Sequence, residues 1–459
     1  MQRDNGGEQT IFARRAWMSG RWQHNVTFTI KDGVFIHIEP NSDAKKADIH
    51  LSGPMLPTLA NVHSHAFQYL MAGVAEVCTN PNDSFWSWRE RMYHMVSQLN
   101  PEQVRIIATH LYIQMLKAGY SQVGEFHYLH HDQQGKTYTD PAEISHQLIE
   151  AANQAGIGMT LLPVLYSYAG FGAQAPNLGQ QRFIHTSASY INLYQKLNQA
   201  LNSSRKHQLG LCFHSLRAVS EAQIHDVLQE LDSGQPIHIH IAEQQREVDD
   251  CLAWSQQRPV EWLAEHIGIN QQWCLIHATH LNQHEIQTIA QSGAVAGLCP
   301  TTEANLGDGI FPATEYQRFA GKWAIGSDSH VGMSLVDELR SLEYSQRLNE
   351  QQRNRLYSSK HPSVGEHLYQ QALHGGNQAC NVALGLQVGH RADFLVLDES
   401  QPFVASSHDG DLLNRWLFAS HQSWITDVYV AGQHVVERGV HQYEAESARA
   451  FVEVIKQLV

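Results

Sequence analysis

Over the first 55 residues apolar and polar positions alternate in short pieces: Ala13-Arg-Arg-Ala-Trp17, Val26-Thr-Phe-Thr-Ile30 and Gly33-Val-Phe-Ile-His-Ile38. A period of two gives a strand one core face and one wet face. Turns such as Lys31-Asp-Gly33 join the pieces, so antiparallel hairpins are expected. The texture returns near the end, in Ala392-Asp-Phe-Leu-Val-Leu-Asp398 and across the Ala431-Gly-Gln turn in Ile425 to Val436. The two ends are therefore expected to share a small β-sandwich domain, residues 1–55 with 388–445. A C-terminal helix over 446–459 follows.

Between the ends the pattern changes to strand, then helix, repeated. Eight apolar runs read as strands, near 55–62, 121–127, 158–166, 209–214, 236–242, 273–279, 294–299 and 322–327. Most are continuous rather than alternating, as parallel strands covered on both faces should be. Helix starts fall between them. Asn100-Pro-Glu-Gln103 and Asp140-Pro-Ala-Glu143 place Pro at the first helical position, and Ser220-Glu-Ala-Gln223 and Asn282-Gln-His-Glu285 have capping-box spacing. Eight such units predict an α/β fold with a (β/α)₈ barrel over 56–387. A doubly wound open sheet is the alternative, but no Gly-rich nucleotide loop supports it.

Composition narrows the partners. The chain has 459 residues, 42% of them hydrophobic and 17% charged, so it can bury a large core. Its formal net charge of −14 argues against nucleic acid or an anionic membrane as a partner. The cysteines, Cys78, Cys212, Cys251, Cys274, Cys299 and Cys380, form no C-x-x-C pair and read as reduced thiols. The start, MQRDNGGEQT, lacks an apolar signal core, and no apolar run approaches the ~20 residues of a spanning helix. A cytoplasmic protein is expected.

In a barrel, chemistry gathers at the C-terminal ends of the strands. Leu56-Pro-Thr-Leu-Ala-Asn-Val-His-Ser-His65 ends the first strand with His63 and His65, which share a face at i and i+2. The fifth, Pro236-Ile-His-Ile-His-Ile-Ala-Glu243, offers His238, His240 and Glu243. Spacing alone does not separate the two histidines. His240, nearer the strand end, is taken as the ligand and His238 as a structural residue. The sixth strand ends in His277 and the eighth in Asp328. Each has an ordinary reading alone: a core histidine for His277, a helix cap for Asp328, a solvated helix opener for Glu243. Together, His63, His65, His240 and Asp328 make a set for one divalent metal with a position left for water. Zn²⁺ suits it, and Fe²⁺ or Mn²⁺ would also bind such donors.

This order of residues resembles the amidohydrolase superfamily over nearly the whole chain. The closing Ala383-Leu-Gly and Gly389-His-Arg-Ala-Asp-Phe-Leu-Val-Leu-Asp398 are similar as well. Binuclear members usually bring a bridging lysine from strand four, but here it reads Leu209-Gly-Leu-Cys-Phe-His214. The resemblance therefore implies one metal, as in the deaminase branch. Glu125-Phe-His-Tyr-Leu-His-His131, His214-Ser-Leu-Arg217 and Cys299-Pro-Thr-Thr-Glu-Ala-Asn-Leu-Gly-Asp-Gly-Ile-Phe-Pro312 resemble the formimidoylglutamate deiminases within it. Asn61-Val-His-Ser-His-Ala-Phe-Gln68 and Gly326-Ser-Asp-Ser-His330 fit many members.

What the resemblance implies is hydrolysis of N-formimidoyl-L-glutamate to N-formyl-L-glutamate and ammonia. Glu243 would shuttle protons, with His277 and Asp328 orienting the water. Gln68, Arg89, Tyr128, His214 and Arg217 would bind substrate. Two arginines suit a substrate with two carboxylates, because a guanidinium grips two oxygens at once. Arg89 also fits a surface helix in which Arg and Trp stack. A symmetric homodimer is the family expectation. The rival readings are a guanine-, cytosine- or adenosine-type deaminase and a non-catalytic scaffold.

Overall fold

The computed structural model describes residues 7–77, 84–202, 204–231 and 234–458. Cys78, residues 1–6 of the polar start and the final Val459 lie outside the described residues. Eight parallel strands form the barrel sheet: Leu59–Ser64 (β1), Tyr120–His127 (β2), Gly158–Leu165 (β3), Leu211–Ser215 (β4), Ile237–Ile241 (β5), Trp273–His277 (β6), Val295–Leu298 (β7) and Lys322–Ile325 (β8), with the short His207–Leu209 paired beside β3. Apart from His214 and Lys322 every residue in the eight is buried, which explains their continuous apolar texture. The sheet closes where Ser64 bridges Asp328, and the amides of Ser327 and Asp328 both donate to the His63 carbonyl (3.2 and 3.0 Å).

Helices alternate with these strands, and their starts follow local chemistry. Asn100 caps the helix Pro101–Lys117, accepting from the Gln103 amide at 2.9 Å, while Gln103 reaches back to the Asn100 amide at 3.0 Å. Asn282 and Glu285 do the same for Gln283–Ser292. Asp140-Pro behaves differently: the helix begins only at Glu143, because the Asp140 carboxylate accepts from the Ala142 amide (2.8 Å) in a turn before it.

The helix Val364–Ala379 lies across the N-terminal end of the barrel. Tyr369 donates to the Pro57 carbonyl at 2.6 Å, and His238 Nε2 donates to the Ala379 carbonyl at 2.8 Å. His238 thus ties the barrel floor to this helix, at the end away from the chemistry. A Cβ on Gly375 would lie 1.9 Å from the Trp323 carbonyl oxygen.

The second sheet comes from both ends of the chain. Its order is Val440–His441, Gln433–Glu437, Ile425–Val430, Phe394–Leu397, Met55–Pro57, Gln9–Met18, Arg21–Lys31 and Val34–Glu39, with Ile49–His50 paired on Gln9–Met18. The ladder curls over its own core of Phe28, Phe35, Phe394 and Tyr429, until the Phe35 amide donates to the His390 carbonyl at 3.0 Å. The apolar run near 55–62 is therefore divided. Met55–Pro57 pairs with Phe394–Leu397, and only Leu59–Ser64 enters the barrel. A continuous apolar run cannot announce such a division, since both halves are buried. The C-terminal helix Glu444–Leu458 packs on Pro101–Lys117. There Phe451 stacks on Tyr69, in the turn after His65, with ring centroids 5.2 Å apart.

Gly375→Ala is expected to destabilise the protein by about 1–3 kcal/mol, because the strand backbone at Trp323 has no room to move. A lowered urea midpoint checks it; an unchanged midpoint contradicts the packing described.

Candidate active site and metal centre

The C-terminal rim of the barrel collects imidazoles. His63 Nε2 lies 3.0 Å from His240 Nε2, and Asp328 Oδ1 lies 3.3 Å from both His63 Nε2 and His65 Nε2. Ligands of one five-coordinate ion with bonds of ~2.0–2.1 Å would stand about 2.9–3.6 Å apart at angles of about 90–120°, so these three contacts fit one ion with a position left for water. Second partners turn the right atoms inward. His65 Nδ1 donates to the Phe126 carbonyl (2.8 Å) and His240 Nδ1 to the His214 carbonyl (2.9 Å), leaving each Nε2 lone pair facing the cluster. Burial, with His65 beside it, pushes His63 down to about 3, and burial likewise lowers His65 and His240. A lowered pKa favours the neutral form, in which imidazole binds a metal. Burial would raise the Asp328 carboxyl, but His63, His65 and His277 hold it below the usual range.

The backbone is strained where these groups are delivered. His277, Asp328 and His330 have φ of 68°, 45° and 64°, and Ala242, just before Glu243, has 50°. Left-handed non-glycine residues are uncommon, and each costs of order 1–3 kcal/mol. Close packing fixes β8 against β1: a Cβ on Gly326 would lie 2.8 Å from both Cβ and N of His63.

Glu243 and His277 stand beside the cluster. His277 Nε2 is 3.7 Å from Glu243 Oε1 and 4.0 Å from Asp328 Oδ2. Burial pushes the Glu243 carboxyl up, against the pull of His277 and Arg217. Helix caps are supplied elsewhere. Ser334 caps Leu335–Glu350, so Asp328 is not its cap, and Glu243 is buried, not solvated.

The rim opens into one pocket. Gln68, Arg89, Tyr128, His214 and Arg217 all line it, together with His65, His240, Glu243, His277 and Asp328; His63 lies beneath it, buried. Gln68 Nε2 donates to the Tyr128 hydroxyl at 2.9 Å, while Gln68 Oε1 and the Nε atoms of Arg89 and Arg217 are buried without a hydrogen-bond partner. Arg89 sits on the helix Phe85–Val96 with its guanidinium 4.5 Å from the Trp86 ring centre. The stacking expected of a surface helix is present, and it holds the guanidinium at the pocket wall.

Other participants were not legible in the sequence. Arg217 Nε is 3.9 Å from Glu247 Oε2, and Glu247 also accepts from the amides of Ala242 (3.2 Å) and Glu243 (3.3 Å). The i, i+4 spacing of Glu243 and Glu247 was the only sign of it. Trp88, Tyr93, Tyr166 and Phe183 add an aromatic wall from three separate segments. Glu303 and Asp308 approach His277 from the stretch after β7. In Glu125-Phe-His-Tyr-Leu-His-His131 only Tyr128 reaches the pocket, while His130 and His131 bond the Val164 and Ile184 carbonyls. The five described cysteines are free and buried.

Comparison with known proteins gives the family. The Amidohydrolase family profile matches residues 55–435. The chain belongs to the amidohydrolase family. Residues 8–50 match a second profile, Formimidoylglutamate deiminase HutF, N-terminal domain. A formimidoylglutamate deiminase of Pseudomonas aeruginosa is 56% identical over 451 residues, covering 98% of this amidohydrolase and 99% of the relative. A 5-methylthioadenosine/S-adenosylhomocysteine deaminase of Shouchella clausii is 24% identical, covering 88% and 87%. The crystal structure of an amidohydrolase from Brucella melitensis superimposes with a TM-score of 0.94 at 44% identity, covering 98% and 99% of the two chains. An adenosine deaminase from Xanthomonas campestris with bound zinc shares the fold at a TM-score of 0.81 and 20% identity, covering 98% of each chain.

The converging nitrogens generate a direct expectation. His63→Ala should lower the metal bound per chain together with activity, read by elemental analysis of the purified protein. Undiminished metal would remove His63 from the ligand set.

Proposed function

We propose that the protein is a zinc-dependent formimidoylglutamate deiminase. It hydrolyses N-formimidoyl-L-glutamate to N-formyl-L-glutamate and ammonia, a step in the degradation of histidine towards glutamate. The observation that carries this reading is full-length identity of 56% to the Pseudomonas aeruginosa deiminase. The pocket supports it, with two guanidinium groups facing a cavity that ends at the histidine cluster.

His63, His65, His240 and Asp328 would hold the ion, and a divalent ion at such donors lowers the pKa of a water to ~7, giving a nucleophile at neutral pH. Other donor atoms in the pocket belong to the substrate. Arg89 and Arg217 take the two carboxylates, and their buried Nε atoms, which have no hydrogen-bond partner, gain acceptors in doing so. Gln68, Tyr128 and His214 fix the substrate between them. His277 and Asp328 orient the attacking water and accept its proton. Oxygen adds to the formimidoyl carbon, and that carbon becomes tetrahedral. Glu243, kept partly protonated by burial, delivers a proton to the terminal nitrogen. As the C–N bond breaks, the hydroxyl proton of that carbon passes to Glu243, ammonia leaves, and the carbonyl of the formyl group forms. Water supplies the oxygen and both protons, so the reaction needs no oxidant or reductant.

A homodimer in the cytoplasm belongs to the same proposal. No described helix is long and apolar enough to cross a membrane.

Ammonia release from N-formimidoyl-L-glutamate should exceed release from guanine or an adenosine-type nucleoside by orders of magnitude on metal-analysed protein. Faster release from a purine would overturn the substrate reading, and metal-free, inactive protein would favour the scaffold. Glu243→Gln should lower kcat by about 10²–10⁴ with metal retained. Arg217→Ala should act mainly on KM, and an unchanged KM would take its carboxylate contact away.

A further inference from the structure

His277 has two working nitrogens, and the proposed chemistry uses only Nε2. Its Nδ1 lies 3.3 Å from Glu303 Oε1. Glu303 is buried, and the same oxygen accepts from the Cys299 amide at 2.8 Å. The carboxylate is therefore held from below by backbone while it meets the imidazole from the side.

Its platform is bolted to the site. Glu303 lies on the short helix Pro300–Leu306 after β7. On that helix Thr302 Oγ1 donates to the Ser327 carbonyl (3.2 Å) and lies 3.1 Å from Ser329 Oγ, the two residues flanking Asp328. Next to it, the Thr301 amide and hydroxyl donate to Glu338 (2.9 and 2.5 Å) on the following long helix. A shift of Glu303 would thus drag the loop that carries Asp328. His277, by contrast, stands on a left-handed backbone at a strand end, and Glu303 is the hydrogen-bond partner found for its Nδ1.

The groups around the imidazole are Glu243 from the loop after β5, Asp308 from the loop after the short helix, Asp328 from the loop after β8, Cys299, and the rings of His63 and His240. Of these, Glu303 is placed on the Nδ1 side, while Glu243 and Asp328 face Nε2.

We propose that Glu303 is a positioning residue for His277: it takes the Nδ1–H hydrogen bond, fixes the tautomer and ring plane, and so aims Nε2 at the attacking water and the reacting carbon. An acceptor on one imidazole nitrogen decides what the other can do. Glu303 forms no contact with substrate and holds no metal in this assignment. The inference rests on the deimination reading, in which His277 handles the proton of the water.

The test is a double-mutant cycle of Glu303→Gln and His277→Asn on zinc-loaded full-length enzyme, with ammonia release from N-formimidoyl-L-glutamate as the assay. Glu303→Gln keeps the shape and the acceptor for the Cys299 amide but loses the charge-assisted bond. It should lower kcat by about 10–100-fold, with KM within about twofold and zinc unchanged. In the His277→Asn background it should change kcat less than about twofold, since there is no imidazole left to aim. Equal losses in both backgrounds, or no loss in the single variant, would overturn the proposal. A second readout works even if the doubly altered enzyme is too slow to measure. In protein labelled with ¹⁵N-histidine, the downfield Nδ1–H resonance that vanishes in His277→Asn should also vanish or move in Glu303→Gln, and an unmoved resonance contradicts the contact. Wild-type turnover in the same assay separates the two claims: an inactive wild type sinks the deimination reading, while the resonance still judges the contact.

Discussion

Everything at the rim depends on how β8 closes against β1. The two strands meet through the bridge between Ser64 and Asp328, with two amides of the β8 end donating to the His63 carbonyl. Gly326 allows this approach, because any side chain there would strike His63. The closure sets Asp328 3.3 Å from His63 and His65, residues 263 positions or more away in the chain. No local propensity produces that contact. It follows from the barrel's register, and the register follows from eight apolar strands with helices packed outside them.

The strain stored at the site has a physical counterpart in the surrounding order. Left-handed backbone at His277, Asp328 and His330 persists because the neighbouring hydrogen bonds over-determine it. Burial lowers the pKa of the clustered imidazoles of His63, His65 and His240, and the Nδ1 atoms of His65 and His240 are spoken for by carbonyls. Carboxylates and guanidinium groups share the pocket, with Arg217 within 4.0 Å of Glu243 and 3.9 Å of Glu247. A substrate with two carboxylates and a cationic head finds both signs of charge there.

Much of this was legible in the chain. Continuous apolar runs named the eight strands, and the residues at their ends named the histidine cluster, because strand ends are where a barrel exposes side chains. The reading blurred where two structures share one texture. Met55–Pro57 and Leu59–Ser64 are equally apolar, yet they belong to different sheets. Asp140-Pro has the form of a helix start, but its carboxylate closes a turn first. His238 and His240 are indistinguishable by spacing; the Ala379 carbonyl at the barrel floor tells them apart. Glu247, Glu303 and the aromatic wall act through contacts between distant segments, and no periodicity records those.

The central claim is that one ion binds among His63, His65, His240 and Asp328. An anomalous-scattering map at the zinc edge from crystals of the purified protein tests it most directly. The account predicts a single strong peak about 2.0–2.1 Å from the Nε2 atoms of the three histidines and about 2.0–2.2 Å from an Asp328 oxygen. A peak elsewhere, or Asp328 or His240 turned away from an ion held by other residues, would contradict it.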